Sequence, residues 1–111
     1  YCLDLANHFL SGTVNPEHWV EMNDQAVIDE LIQVRGIGRW TAEMFLIFHL
    51  HRPDVFPIDD LGLQKAVSVL YKKRYPVSSK VLNSVSKNWS PYRSVATWYL
   101  WRSLDPIPVE Y

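Results

Sequence analysis

The apolar positions of this chain recur at helical spacing almost from end to end. Leu3, Leu5, Ala6, Phe9 and Leu10 fit one helical face, which Ser11-Gly12 closes. Asn15-Pro16 puts a capping side chain before a proline at the first helical position and predicts a short helix over 16–22. Asn23 or Asp24 caps the next helix, whose Val27, Ile28, Leu31 and Ile32 share a face. Gly36-Ile37-Gly38 breaks it. From Arg39 or Trp40 to His49 the chain is apolar nearly all round, the pattern of a buried helix.

The second half reads the same way. Arg52-Pro53-Asp54 is a turn, and Val55-Phe56-Pro57-Ile58 is expected to be extended, because a residue before proline is pushed out of the helical region. Asp59-Asp60 opens a helix to about Tyr71, and Lys72-Lys73-Arg74 gives it a basic end that suits the helix dipole. Tyr75-Pro76-Val77 is a loop. Ser78 or Ser79 starts a helix ending near Trp89. Ser90-Pro91 repeats the cap-then-proline signature ahead of an aromatic helix from Tyr92 to Leu104, and Pro106 and Pro108 stiffen the tail. No repeat and no strand pattern appears. The predicted fold class is all-α, a helical bundle.

Composition narrows this only a little. With 111 residues the chain is one domain or part of one. It is 48% hydrophobic, with five Trp and six Tyr, which builds a packed core and argues against disorder. The net charge of -1 gives no global pull toward nucleic acid, although a local basic patch suffices for such a partner. Cys2 is the single cysteine, which excludes an internal disulfide and a cysteine-based zinc or iron–sulfur site and points to a reducing compartment. The longest apolar run, Met44 to Leu50, is too short to cross a membrane, and no secretory signal is visible. Tyr1 to Leu5 reads as the middle of a helix without an initiator Met, so an upstream segment is expected to precede it. His8, His18, His49 and His51 form no metal spacing.

Two stretches carry candidate chemistry. Helix, Gly36-Ile37-Gly38, helix is a tight hairpin, because glycine takes backbone conformations other residues resist and lets another backbone approach closely. The second helix then starts with unpaired N–H groups and a positive dipole end, an anion site suited to phosphate, with Arg35 and Arg39 beside it. The carbonyls that end the first helix face the other way and suit a monovalent cation. By spacing alone the glycines read equally as a plain turn. The second stretch, Phe56 to Gly62, delivers Asp59 and Asp60 to a helix start, where carboxylates cap N–H groups; by spacing alone that structural reading comes first.

"LIQVRGIGRWTAEMFLIFHLHRPDVFPIDDLGLQKAV" resembles the helix-hairpin-helix DNA glycosylases of base-excision repair. "GIGRWTAEM", then "DVFPIDDLG", then "WSPYRSVATWYLWR" resemble the 3-methyladenine DNA glycosylase II branch in order and spacing. The likeness runs roughly from Leu5 to Trp101. It implies that residues 1–111 are the C-terminal portion of such a glycosylase domain, with the hairpin at about 27–50 and a catalytic loop at 55–61. Asp60 matches the family's catalytic acid, which stabilises positive charge on the deoxyribose and activates water; Asp59 is assigned capping or no direct role. Trp101 matches an aromatic base-pocket position, and Tyr92 lies on the same helix. Strand-cutting relatives carry a lysine where this chain has Trp40, which implies a monofunctional enzyme. Trp40 then offers a ring face to a cationic alkylated purine flipped from the duplex. Arg35, Gly36, Gly38 and Arg39 are the implied DNA contacts. The main-chain carbonyls of Ile32, Val34 and Ile37 are the implied seat of a monovalent cation.

The implied partner is double-stranded DNA containing alkylated bases, with no catalytic cofactor, no membrane and no oligomer required. The implied location is the bacterial cytoplasm (nucleoid) or the eukaryotic nucleus. The alternative is a non-catalytic helix-hairpin-helix DNA-binding module or an inactive fragment. A pure binding module has no use for Asp60, which repels phosphates.

Overall fold

Six α-helices and two 3-10 turns account for the regular structure of the computed structural model, which describes residues 2–104. No strand occurs among the described residues. Pro106 and Pro108, read above as stiffening the tail, lie outside them. The chain divides into two compact units, Tyr1–His51 and Arg52–Tyr111.

The first unit contains α1 (Cys2–Ser11), a 3-10 turn (Pro16–Glu21), α2 (Asp24–Leu31) and α3 (Arg39–Phe48). The caps are the ones the sequence offers. Asn15 accepts the Glu17 N–H at 3.2 Å and Asn23 accepts the Ala26 N–H at 2.8 Å. The segment after Pro16 tightens to a 3-10 turn rather than an α-helix. Helix α2 buries Val27, Ile28 and Leu31 and packs on α3. It ends before the glycines, with Ile32 as its C-cap. Two i-to-i+3 bonds then carry the chain round: Val34 N–H to Leu31 at 3.1 Å and Ile37 N–H to Val34 at 3.1 Å. That tighter winding brings Val34 into the core.

Helix α3 departs from expectation. It is not buried all round: Trp40 is 50% exposed and Phe48 55%. Ala42, Glu43 and Leu46 are its buried positions, a single stripe that includes an acid. Its exposed positions are Arg39, Trp40, Thr41 and Phe48.

The second unit holds α4 (Leu61–Leu70), α5 (Ser79–Ser86), a 3-10 turn (Lys87–Trp89) and α6 (Arg93–Ser103). Leu63, Ala66, Val67, Val77, Leu82 and Leu100 form its core, with Phe56, Ile58, Val81, Trp89 and Leu104 packed against it. Phe56 meets Trp89 edge to face at 5.8 Å, and the Trp89 indole N–H donates to the Tyr71 hydroxyl at 3.1 Å. These contacts anchor the residues leading to Asp60. Asp60, not Asp59, caps α4, and Ser78 caps α5. Lys72, Lys73 and Arg74 lie beyond the end of α4, with Lys72 in the left-handed region at φ 54.

Ser90-Pro91 is not the cap of α6. Tyr92 occupies the cap position without a side-chain bond, and Ser90 donates its hydroxyl to Asp54 at 3.1 Å. The acceptor for the first N–H of α6 comes from far along the chain: Asp54 takes the Arg93 N–H at 3.1 Å. No helix among the described residues is long and apolar enough to cross a membrane.

Candidate active site

Asp60 is placed by what precedes and follows it. Pro57 is buried beside it, and the Asp60 N–H donates to the Pro57 carbonyl at 2.9 Å. Its side chain turns back over the start of α4, where Oδ2 accepts the Leu63 N–H at 2.8 Å. The same oxygen accepts the Trp101 indole N–H at 2.7 Å, across 41 residues of sequence. Asp60 is only 9% exposed. Two donors and the positive end of a helix therefore stabilise one carboxylate oxygen at the edge of solvent. Gly62 completes the site. A side chain there would start 3.3 Å from Asp60 Oδ2 and 3.5 Å from Trp101 Cδ1, tighter than ordinary contact for the carboxylate.

Asp59 is exposed. Trp101, half-buried, presents its N–H edge to Asp60. Tyr92 is exposed at the other end of α6, about 13 Å along the axis from Trp101. Trp98 sits edge to face on Tyr99 at 5.1 Å and lies under the Arg102 guanidinium at 5.2 Å. The structure thus joins Asp60 to Trp101 and keeps Tyr92 apart from them.

In the first unit, Gly36 adopts φ 96, a conformation L side chains rarely take. Gly38 differs. It has ordinary extended φ of -91, caps α3 without a side-chain bond, and a Cβ there would meet nothing within 4 Å. Nothing inside the unit demands glycine at 38. Asp4 of α1 accepts the Arg35 N–H at 2.6 Å and ties down the turn. Arg39 is engaged: its Nη2 donates to Gln25 at 3.0 Å and its Nε lies 3.6 Å from the buried Glu43. Ile32, Val34 and Ile37 all lie in the turn, and the Val34 carbonyl already accepts the Ile37 N–H. No cluster of His, Cys, Asp and Glu among the described residues has a metal-binding arrangement.

Sequence reasoning missed two features of the second unit. Asp54 binds Arg93 through both carboxylate oxygens, Nε to Oδ1 at 2.8 Å and Nη2 to Oδ2 at 3.0 Å. These bonds hold the Asp54 carboxyl below the usual carboxylate range, against the opposite pull of partial burial. Ser94, 6% exposed, donates its hydroxyl to the Arg52 carbonyl at 2.6 Å and accepts the Val55 N–H at 2.8 Å. Pairs 39 or 42 residues apart leave no local signal.

A glycine-turned helical hairpin, followed along the chain by an aspartate that caps a helix and accepts an indole N–H, keeps the order of the motifs in which the sequence resembles the DNA glycosylases. Comparison with known proteins agrees. The chain is 37% identical over 105 residues to a putative DNA-3-methyladenine glycosylase of Bacillus subtilis, covering 95% of this chain and 37% of that protein. It is 38% identical over 101 residues to DNA-3-methyladenine glycosylase 1 of Schizosaccharomyces pombe, covering 89% and 44%. The fold is similar to that of the S. pombe 3-methyladenine DNA glycosylase solved in complex with abasic DNA: TM-score 0.80, 35% identity, 90% of this chain and 49% of that one. The chain matches no family model. By sequence and fold its homologues are DNA-3-methyladenine glycosylases, and it spans less than half the length of the relatives it matches.

Proposed function

We propose that this chain is the part of a monofunctional DNA glycosylase that excises alkylated purines such as 3-methyladenine in base-excision repair. One observation carries the reading: a nearly buried aspartate whose Oδ2 is fixed by the Leu63 N–H and the Trp101 indole. Its relatives are named as glycosylases acting on 3-methyladenine.

In this reading the C1′–N bond breaks and its electron pair leaves with the base. Positive charge develops on the sugar, and the fixed Asp60 anion stabilises it. Water adds at C1′ and gives up a proton, with Asp60 as the acceptor. No cofactor is needed. Trp101, beside Asp60, offers an aromatic face to the flipped, cationic base, and Trp40 carries an exposed indole suited to the same chemistry; Tyr92, at the far end of α6, stands apart from Asp60 and is left out of this reading. The hairpin holds phosphate without reading sequence: Gly38 leaves room for close approach, Arg35 adds charge, and Arg39, drawn toward Gln25 and Glu43, adds less. The carbonyls of Ile32, Val34 and Ile37, neutral oxygen donors, would hold a monovalent cation whose charge favours the same phosphate. The hairpin at about 27–50, the loop at 55–61 and α6 are the working parts. DNA with alkylated bases is the partner, and the nucleoid or nucleus is where it is met.

The test is single-turnover excision from a duplex with one alkylated purine, strand breakage being read after alkali. Asp60→Asn is expected to lower the rate by roughly 10²-fold or more. Asparagine caps helices about as well as aspartate, so the fold is expected to survive. Duplex binding should hold or tighten once a negative charge is removed. Near-wild-type excision by Asp60→Asn would sink the assignment.

A further inference from the structure

Asp60 and Trp101 meet at the ends of two arms of the second unit. One arm is residues 54–60, and the other is α6. The arms are joined again at their far ends. There Asp54 takes the Arg93 guanidinium through both oxygens, the Arg93 N–H at 3.1 Å and the Ser90 hydroxyl at 3.1 Å. Ser94 adds its own N–H on the Pro53 carbonyl at 2.9 Å and its hydroxyl on Arg52 at 2.6 Å.

Both arms are stiff. Trp101 follows Arg93 by eight residues on a continuous helix, about 12 Å along its axis. The other arm contains buried Pro57 and two close backbone bonds, Ile58 N–H to Phe56 at 3.0 Å and Asp60 N–H to Pro57 at 2.9 Å. Two stiff arms with two joints make a closed frame, so a change at one joint is felt at the other. Slipping α6 by one residue moves it about 1.5 Å and turns it about 100°. Either displacement is enough to part a 2.7 Å bond.

We infer that the Asp54–Arg93 pair is a positioning element for the Asp60 carboxylate. By fixing the height and rotation of α6, it fixes where the Trp101 indole meets Oδ2. A plain helix cap needs one acceptor for the Arg93 N–H. The two-pronged guanidinium pair is additional, and its planar geometry sets orientation as well as attachment. This inference rests on the reading of Asp60 as the catalytic acid.

The experiment compares Asp54→Asn, Arg93→Lys and Asp60→Asn in the protein that carries this chain. Three quantities are read: the single-turnover excision rate per active enzyme, the affinity for undamaged duplex, and the indole 1H–15N resonance of Trp101, assigned with Trp101→Phe. Arg93→Lys keeps the charge but loses the fork. It and Asp54→Asn are expected to slow excision about 10- to 100-fold, the scale of a misplaced catalytic group, with duplex affinity unchanged. The Trp101 resonance should move in both. Ser90→Ala removes only one bond to Asp54 and should shift rate and resonance the same way by less, which keeps the test usable if the stronger variants fail to fold. An unmoved resonance with a wild-type rate overturns the inference and leaves Asp60 standing. So does a loss confined to the active fraction, which marks the pair as a folding aid only. A wild-type rate in Asp60→Asn overturns the Asp60 reading and this inference with it.

Discussion

Replacing Trp101 with Phe removes the indole N–H that reaches Asp60 and keeps an aromatic ring on α6. The lost bond is 2.7 Å long and ends on a carboxylate only 9% exposed. Hydrogen bonds to charged groups contribute about 1.5–3 kcal/mol. Trp101 is half-buried, so water replaces part of the loss and the lower half of that range applies, about 2 kcal/mol. For urea unfolding with a slope of about 1–3 kcal/mol per M, the midpoint should fall by about 1 M. The same substitution in an Asp60→Asn background provides the control. There the indole donates to a neutral amide oxygen, a bond of about 0.5–1.5 kcal/mol, so the loss should be smaller by about 1 kcal/mol. Ring packing is common to both backgrounds and cancels in the cycle. Equal costs in the two backgrounds, within about 0.5 kcal/mol, would refute the reasoning and reduce Trp101 to packing.

Gly38→Val meets open space and an ordinary φ, so unfolding should shift by no more than about 1 kcal/mol, while duplex binding weakens equally on damaged and undamaged DNA; a loss confined to damaged DNA would contradict the phosphate role. The folded Asp54 carboxyl lies below its ordinary 3.8, so the unfolded chain takes up that proton first as pH falls. Its contribution is therefore complete above the ordinary value and disappears as pH drops through the folded one. Urea midpoints followed from neutral pH to about pH 3 should fall less steeply in Asp54→Asn than in the parent. With Trp40 in the hairpin, borohydride should trap no enzyme–DNA adduct, and the product should be an intact strand carrying an abasic site; a trapped adduct would end the monofunctional reading.

The helices were legible because their signals are local. Apolar spacing and start-and-stop residues located the helices of the described residues; Asn15 was readable as a cap, and Asn23, Asp60 and Ser78 each stood as one of two adjacent candidates. Where a cap came from a distant residue, the local reading failed: Ser90-Pro91 has the right residue types, yet Asp54 does the capping. The burial of α3 was overread because periodicity records which residues are apolar, not how much of a helix its neighbours cover. Glu43 illustrates the converse, since nothing in its surroundings along the chain announces an acid 2% exposed. At the site, Asp60 and Trp101 were each marked by resemblance. Their direct bond was not, because a contact across 41 residues is a property of the folded unit.

If the hairpin holds DNA as proposed, the pairing of Arg39 with Glu43 changes how many cations it brings there. Glu43 is buried with Arg39 Nε 3.6 Å from it, and Arg39 Nη2 donates to Gln25 at 3.0 Å, so much of the guanidinium is turned toward the protein rather than toward a phosphate. Each phosphate neutralised by a protein cation contributes about 0.9 to the slope of log affinity against log salt. On the proposed reading the hairpin therefore adds nearer one such unit than two, supplied by Arg35. The rest of its grip comes from backbone N–H groups and the dipole of α3, which displace no counterion through a mobile side chain. On that reading, a hairpin held in this way keeps its grip on duplex at ionic strengths that strip off a more cationic one.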